Sequence, residues 1–240
     1  MILRAFLDIL FPPLCHVCKS FIPAAGPLHL CPACHRDVRF ISSPCCVTCG
    51  VPFATEEGID HRCGACQTTP PPFTAARSAV LLAGPVQQLV HRFKYGHKVH
   101  LRRPLALLAG ETLAPFVQTA GPELMVPVPL HPRRLRERGF NQAILVGEVL
   151  AATWGVPLLR DTLRRQRPTT PQVGLSAGER RENVCGAFTV AAPDRIAGKK
   201  ILLVDDVYTT GSTLAECARE LRRAGAAEVV AVTVARTSAP

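Results

Sequence analysis

The chain has 240 residues, of which 48% are hydrophobic and 19% are charged, and its formal net charge at pH 7 is +10. This composition excludes an intrinsically disordered protein and allows one large domain or two small ones with a buried core. The apolar N-terminal stretch is short and interrupted by Arg4 and Asp8, and no later run approaches the ~18 apolar residues of a membrane span. We therefore expect a cytoplasmic protein without a membrane span.

Nine of the eleven cysteines lie between residues 15 and 66, mostly as Cys-x-x-Cys pairs. In a cytoplasmic chain this spacing favours metal over disulfides, because two such turns can present four thiolates to one Zn²⁺. In chain order the pairs form two sets, Cys15, Cys18, Cys31 and Cys34, then Cys46, Cys49, Cys63 and Cys66. We predict two structural zinc ions, with a single zinc as the alternative, and no open coordination position for catalysis.

The ninth cysteine, Cys45, could shift the second set by one position, but Cys46 keeps the two-residue gap and is preferred. Metal binding would supply the folding energy of so short a segment. Residues 1–75 contain five basic and five acidic residues, so this segment alone offers no phosphate-binding surface. A docking or scaffolding role is favoured over nucleic-acid binding.

Three consecutive prolines at residues 70–72 form a stiff spacer and mark a domain boundary. We predict a cysteine-rich domain over residues 1–72 and an α/β domain over residues 73–240. The net positive charge belongs to the second of these, because residues 76–240 hold 23 basic and 13 acidic residues.

Periodicity predicts a strand over residues 79–82, a helix over 86–93, a second helix over 104–116 and a short strand over 125–129. Four arginines lie between that strand and a helix predicted over residues 142–154. In open α/β sheets, ligands bind at this end of the strands. A loop that binds a polyanion is therefore predicted from Arg133, Arg134, Arg136 and Arg138.

A strand predicted near residues 156–159 leads into a stretch, residues 164–183, that has no apolar periodicity. A loop this long inside a compact domain is normally functional, often as a lid. Its polar side chains include Arg164, Arg165, Arg167, Thr169, Gln172, Arg180, Arg181 and Asn183. Cys185 and Cys217 fall outside any metal spacing and are interpreted as packing residues.

The apolar residues 201–204 predict a strand buried on both faces, and two carboxylates follow it directly. Residues 209–213 contain four hydroxyls around Gly211, and an amphipathic helix starts near Leu214 and stops at Gly225. Backbone N–H groups at such a turn and helix start form an anion site, for which phosphate is the natural occupant. Gly211 allows a close approach of the backbone because it lacks a Cβ.

Asp205 and Asp206 cannot bind a phosphate directly, since like charges repel. We expect them to accept hydrogen bonds from vicinal hydroxyls, with Mg²⁺ nearby, so that the site as a whole suits a ribose 5-phosphate. A response-regulator receiver domain also opens on an acidic pair, but it needs a later phosphoacceptor Asp, and no Asp follows Asp206. That class is excluded, and an ordinary strand–turn–helix remains the plain alternative.

This stretch resembles the phosphoribosyl pyrophosphate (PRPP) motif of type I phosphoribosyltransferases. The resemblance implies a PRPP site made of Asp205, Asp206, Val207, Tyr208, Thr209, Thr210, Gly211, Ser212 and Thr213. It implies that the four arginines of residues 133–138, supplemented by Lys94, face the pyrophosphate and Mg²⁺. By the same resemblance, residues 164–188 form a flexible hood.

Together with the tandem cysteine pairs and the segments at residues 126–143 and 169–184, the whole chain resembles the ComF family. The resemblance implies a double zinc ribbon followed by a phosphoribosyltransferase-like parallel sheet with helices on both faces. It also implies a role in DNA uptake and competence, with single-stranded DNA and proteins of uptake or recombination as partners. Two hypotheses stay open, transfer of phosphoribosyl to an unknown acceptor and non-catalytic sensing of PRPP or binding of nucleic acid.

Overall fold

The computed structural model describes residues 12–23, 25–55, 57–167 and 177–238. The cysteine-rich module, here residues 12–72, contains two short helices, α1 (Pro32–Arg36) and α2 (Gly64–Thr68). The remainder contains the strands β1 (Ala75–Leu81), β2 (Leu124–Pro127), β3 (Leu163–Arg165), β4 (Phe188–Val190), β5 (Lys200–Tyr208) and β6 (Glu228–Arg236). Its helices are α3 (Gly84–Tyr95), α4 (Arg102–Ala120), α5 (Pro132–Arg138), α6 (Gln142–Trp154), α7 (Ala177–Val184) and α8 (Ser212–Arg223).

The main sheet is parallel and has the strand order β1-β6-β5-β2. Strand β5 lies inside it, and its side chains alternate between two buried cores. Leu202 and Val204 pack in the core that contains residues of α3, α4 and α6. Ile201 and Leu203 pack in the core that contains residues of α8. The predicted strand buried on both faces, with helices on both sides of the sheet, is therefore confirmed.

The arginines at residues 133–138 form a helix, so the prediction of a loop there was wrong. The His131 ring nitrogen accepts a hydrogen bond from the Arg133 N–H at 3.2 Å and caps this helix, and Pro132 occupies its first turn. Gly139 ends the helix with a left-handed φ of 79°. Capping residues at both ends favour the helix although no side chain within it is buried.

The predicted strand near residues 156–159 is only an isolated bridge between Met125 and Leu158. Part of the predicted hood is regular, because β3 and β4 pair antiparallel in a separate two-stranded sheet and α7 lies between them in sequence. Residues 168–176, with Thr169 and Gln172, lie outside the described residues. Cys217 is fully buried as predicted, but Cys185 is exposed and does not pack.

The cysteine-rich module covers the outer edge of β1. The Ile41 N–H donates to the Ala79 carbonyl at 2.9 Å, and the Leu81 N–H donates to the Arg39 carbonyl at 2.8 Å. Near the start of the same strand, the Ala76 N–H donates to the carbonyl of Thr48 at 2.7 Å. An edge strand that would otherwise expose its backbone groups is thus paired with the module.

None of the helices in the described ranges is both long and apolar enough to cross a membrane.

Candidate functional site: two cysteine clusters and the carboxyl edge of the sheet

The eight paired cysteines form two clusters, each with its four sulfur atoms within 4.8 Å of one another. The clusters are Cys15, Cys18, Cys31 and Cys34, and Cys46, Cys49, Cys63 and Cys66. These are the two predicted sets. Four thiolates converging on one point are the ligand set of a structural zinc, so the residues present fit Zn²⁺.

Backbone N–H groups point at the sulfurs as thiolates require. The Cys46 sulfur accepts from the Cys63 N–H at 3.3 Å and from the Cys49 N–H at 3.4 Å. Burial acts to raise the pKa of Cys46, but these donors outweigh it and lower the pKa to about 6. Cys45 is not part of the cluster, because its thiol lies 3.6 Å from the Asp60 carboxylate, to which it donates. The choice of Cys46 over Cys45 is confirmed.

The acidic pair lies near the carboxyl end of β5, two residues before the strand ends at Tyr208, and α3 brings Lys94 to it. The Lys94 ammonium lies 3.0 Å from Oδ1 of Asp206. Asp206 is only 6% exposed, whereas Asp205 is half-buried and accepts the Asp206 N–H at 2.8 Å. Among the described residues, Oδ2 of Asp206 has no hydrogen-bond partner. Of the two carboxylates, that of Asp206 is therefore paired directly with a lysine.

The pKa values of Asp205 and Lys94 are both raised. Burial and the neighbouring charge of Asp206 raise the pKa of Asp205 to about 7, although Lys94 acts to lower it. Burial acts to lower the pKa of Lys94, but the charges of Asp206 and Asp205 outweigh it and the pKa is raised. The site thus carries an excess of negative charge that a cation or hydroxyl donors could relieve.

The hydroxyl loop, residues 209–213, joins β5 to α8. Gly211 has φ of +77°, and a Cβ built there would lie 2.2 Å from the hydroxyl oxygen of Tyr208, so only glycine fits. The hydroxyls of Thr210 and Ser212 lie 2.8 Å apart, and the Ser212 N–H donates to Thr210 Oγ1 at 3.4 Å. The loop therefore presents its hydroxyls beside the N-terminus of α8, where an anion is favoured.

Three of the four arginines of α5 are exposed, and Arg138 is half-buried. Arg133 and Arg134 share Glu137, each with a contact of 3.1 Å, and Arg136 is exposed. Arg138 instead places its guanidinium carbon 5.3 Å from the centre of the Tyr95 ring. The helix carries more positive charge than its one carboxylate can offset.

The arginines of the predicted hood differ in their surroundings. Arg164 is exposed, whereas Arg165 is half-buried with its guanidinium carbon 5.3 Å from the centre of the Phe188 ring. Arg167 donates to the carbonyls of Asn183 at 3.1 Å and Cys185 at 2.8 Å. The side chains of Arg180 and Arg181 lie outside the described part of the chain.

Two residues near the site were missed by the sequence analysis. Tyr95 directly follows Lys94 and is 59% exposed, with His91 5.0 Å away between ring centres. Arg236, at the end of β6, is buried and lies against Tyr208. An aromatic residue next to the lysine was a usable signal for the first, but no local pattern marks the second.

Two families match the chain, the double zinc ribbon domain over residues 6–67 and the phosphoribosyl transferase domain over residues 143–240. A purine phosphoribosyltransferase from Pyrococcus horikoshii is 18% identical, with 53% of this chain and 70% of that protein covered and a TM-score of 0.34. That structural likeness is too weak to add to the assignment.

Among curated relatives, the DNA utilization protein YhgH of Salmonella typhimurium is 36% identical over 229 residues, covering 94% of this chain and 98% of that protein. Competence protein F of Haemophilus influenzae is 33% identical over 217 residues, covering 87% of this chain and 93% of that protein. Similarity at this level over nearly the full length of both partners, together with the two matched families, shows that the chain belongs to the ComF family of competence and DNA utilization proteins.

Proposed function

We propose that the chain binds PRPP with Mg²⁺ at the carboxyl edge of its sheet and acts there in the handling of single-stranded DNA. The observation that carries the first half is the acidic pair. Asp205 and Asp206 lie side by side with one bound lysine, one buried oxygen without a partner among the described residues, and a pKa of Asp205 raised to about 7. Such an arrangement costs stability in the free protein and is expected where a ligand supplies the missing partners.

Each part of PRPP has a complementary group at this edge. The hydroxyl loop and the N-terminus of α8 would take the 5′-phosphate, and the two carboxylates would accept hydrogen bonds from the ribose hydroxyls. Arginines of α5 would neutralise the pyrophosphate. Bound Mg²⁺ would supply further charge neutralisation on the phosphate oxygens.

If transfer occurs, the reaction is displacement of pyrophosphate at the anomeric carbon, through a transition state of oxocarbenium character. The residues named above would contribute by holding the ribose in place and by neutralising the leaving group. Release of pyrophosphate from PRPP in the presence of candidate acceptors would identify a transferase. Binding without release would identify a sensor.

Asp205→Asn tests the PRPP site. We expect PRPP affinity to fall at least about tenfold, a loss of about 1.4 kcal/mol, because an amide cannot accept both ribose hydroxyls as a carboxylate does. The fold should be retained or stabilised at pH 8, because the charge repulsion with Asp206 is removed while an acceptor for the Asp206 N–H remains. Calorimetric titration with PRPP and Mg²⁺, together with thermal unfolding, measures both effects.

The matched control is Asp194→Asn, which removes one exposed carboxylate from the short turn of helix at Pro193–Arg195. It should leave PRPP affinity unchanged. Equal affinity in the Asp205 variant and the wild-type protein would refute the assignment of the ribose hydroxyls to this pair.

The second half of the proposal is a surface for single-stranded DNA beside this site. Support comes from the exposed cations Arg133, Arg136 and Arg164 and from the exposed ring of Tyr95, which sits one residue from the site lysine. Exposed cations follow the phosphate backbone, and an aromatic ring gives a base a stacking partner without sequence preference. Relatives named for DNA utilization and competence agree with this assignment.

Two variants separate charge from stacking on this surface. Replacing Arg133 and Arg136 together by Ala should weaken DNA binding and reduce the slope of log affinity against log salt by about 0.7 for each phosphate that the protein no longer neutralises. Tyr95→Ala should weaken binding by about 1–3 kcal/mol with the salt slope unchanged. Fluorescence anisotropy of a labelled oligonucleotide at several salt concentrations measures both.

A control removes the same charge elsewhere. Arg195 precedes β5 and Arg223 ends α8, so both stand at the opposite edge of the sheet. Replacing this exposed pair by Ala should leave the slope as in the wild-type protein. If both double variants change the slope equally, binding follows net charge alone and the surface is not the one proposed.

A further inference from the structure

Three arginines of the α/β domain donate to backbone carbonyls of the cysteine-rich module. Arg92 of α3 donates to His16 and Val17, beside the first cluster. Arg77 of β1 donates to Cys46 and Val47 at 3.3 and 3.1 Å. Arg236 of β6 donates to Cys49 at 2.7 Å. The turn that holds Cys46 and Cys49 is therefore held by two arginines from neighbouring strands.

Arg236 differs from Arg77 in what else it contacts. Its guanidinium carbon lies 4.7 Å from the centre of the Tyr208 ring, whereas that of Arg77 lies 5.3 Å from the centre of the Phe116 ring. Tyr208 is the last residue of β5, and its carbonyl accepts a hydrogen bond from the Thr237 N–H at 3.0 Å. Arg236 thus contacts both the second cysteine cluster and the strand that leads into the hydroxyl loop.

The Tyr208 side chain, which Arg236 contacts, also lies against the hydroxyl loop. Its hydroxyl oxygen lies so close to Gly211 that a Cβ there would sit 2.2 Å away. The ring is buried with Cys46, Cys49 and Cys66 in the same core. A continuous set of contacts therefore runs from the Cys49 carbonyl through Arg236 and Tyr208 to the left-handed residue of the loop.

We propose that Arg236 and Tyr208 are positioning residues through which the second cysteine cluster holds the hydroxyl loop in its ligand-binding shape. The inference rests on the proposed function in one respect only, that this loop binds the phosphate of PRPP. The buried Nη1 of Arg236 has the Cys49 carbonyl as its hydrogen-bond acceptor, and the plane of the guanidinium in turn confines the Tyr208 ring. A ring confined in this way leaves the backbone at Gly211 little room to move.

The link predicts a regulatory consequence. Loss of zinc from the second cluster would move the Cys49 carbonyl and release Arg236, which would loosen the loop. The first cluster has no such contact, since Arg92 lies in α3 and reaches neither Tyr208 nor the loop in the described structure. PRPP binding would therefore depend on the state of one cluster more than on the other.

The test compares Arg236→Met with Arg77→Met in the full, zinc-loaded chain. Both variants remove an arginine contact to the same cysteine turn, but only the first touches Tyr208. We expect Arg236→Met to raise amide hydrogen exchange over residues 208–214 at least about fivefold and to weaken PRPP binding by about tenfold. Arg77→Met should destabilise the protein to heat while leaving loop exchange and PRPP affinity unchanged.

Arg236→Lys covers the case in which the methionine variant does not fold. Lysine keeps a donor for the Cys49 carbonyl but has no plane to stack on the ring, so loop exchange should rise while zinc content stays at the wild-type value. Equal loop exchange in the Arg236 and Arg77 variants would overturn the proposal. Amide exchange is measured without PRPP. If the wild-type protein does not bind PRPP, the proposed function is wrong, but the comparison of loop exchange between the variants still tests the link between the second cluster and the loop.

Discussion

Chelation of zinc is expected to destabilise the α/β domain as well as the cysteine-rich module, lowering the thermal midpoint by at least about 10 °C. Residues 1–72 should unfold first, because metal binding supplies most of the folding free energy of so short a segment. Their loss would then uncover β1, whose backbone groups pair with residues 39–41 and 48. It would also remove Cys15, Cys34 and Val38 from the core that α3 and α4 complete.

Metal analysis under reducing conditions should give two zinc ions per chain, and circular dichroism during chelation should follow the loss of both parts. Cys45→Ser is the matched control, because its thiol contacts Asp60 and lies outside both clusters. This variant should keep full zinc content. A chain that holds no zinc, or an α/β domain whose midpoint is unchanged after chelation, would contradict the expectation.

The features that could be predicted from sequence depend on residues close together in the chain. The Cys-x-x-Cys spacing predicted which cysteines form each of the two clusters, and the apolar run before Asp205 predicted a buried central strand. The amphipathic pattern from Leu214 to Leu221 predicted α8 in the same way. In each case a local pattern specifies the geometry with little help from the rest of the molecule.

The features that were not predicted from sequence depend on contacts between segments far apart in the chain. The pairing of Lys94 with Asp206, more than a hundred residues away in the chain, was not predicted. In the sequence, Arg236 is only a polar residue at the end of a strand. Folding of the chain places it between Cys49 and Tyr208. Charges of this kind have no periodicity, so sequence alone does not indicate which partner neutralises them.

Lys94→Met is expected to destabilise the fold by about 3–5 kcal/mol near pH 8, because it leaves the buried Asp206 carboxylate next to Asp205 without a cation. The cost should shrink toward pH 5. With Lys94 present, the pKa of Asp205 is already raised to about 7, above its unfolded value of about 3.9, so the folded state binds the proton more tightly. The contribution of protonated Asp205 to stability is full below about pH 4 and is lost as the pH rises through 7.

Removing the lysine would raise the pKa of Asp205 further, because Lys94 acts to lower it, and would steepen the loss of stability between pH 5 and 8. Chemical denaturation at several pH values measures the free energy of unfolding of the variant. Lys199→Met is the control, because Lys199 forms a 2.8 Å pair with Glu123 at an exposed site. That change should cost less than about 1 kcal/mol. Adding Asp206→Asn to Lys94→Met should recover most of the stability, since the buried Asp206 charge is then removed and Asp205 no longer lies beside a second carboxylate. If the double variant is as unstable as the single one, packing of the lysine chain and not its charge holds this edge of the sheet.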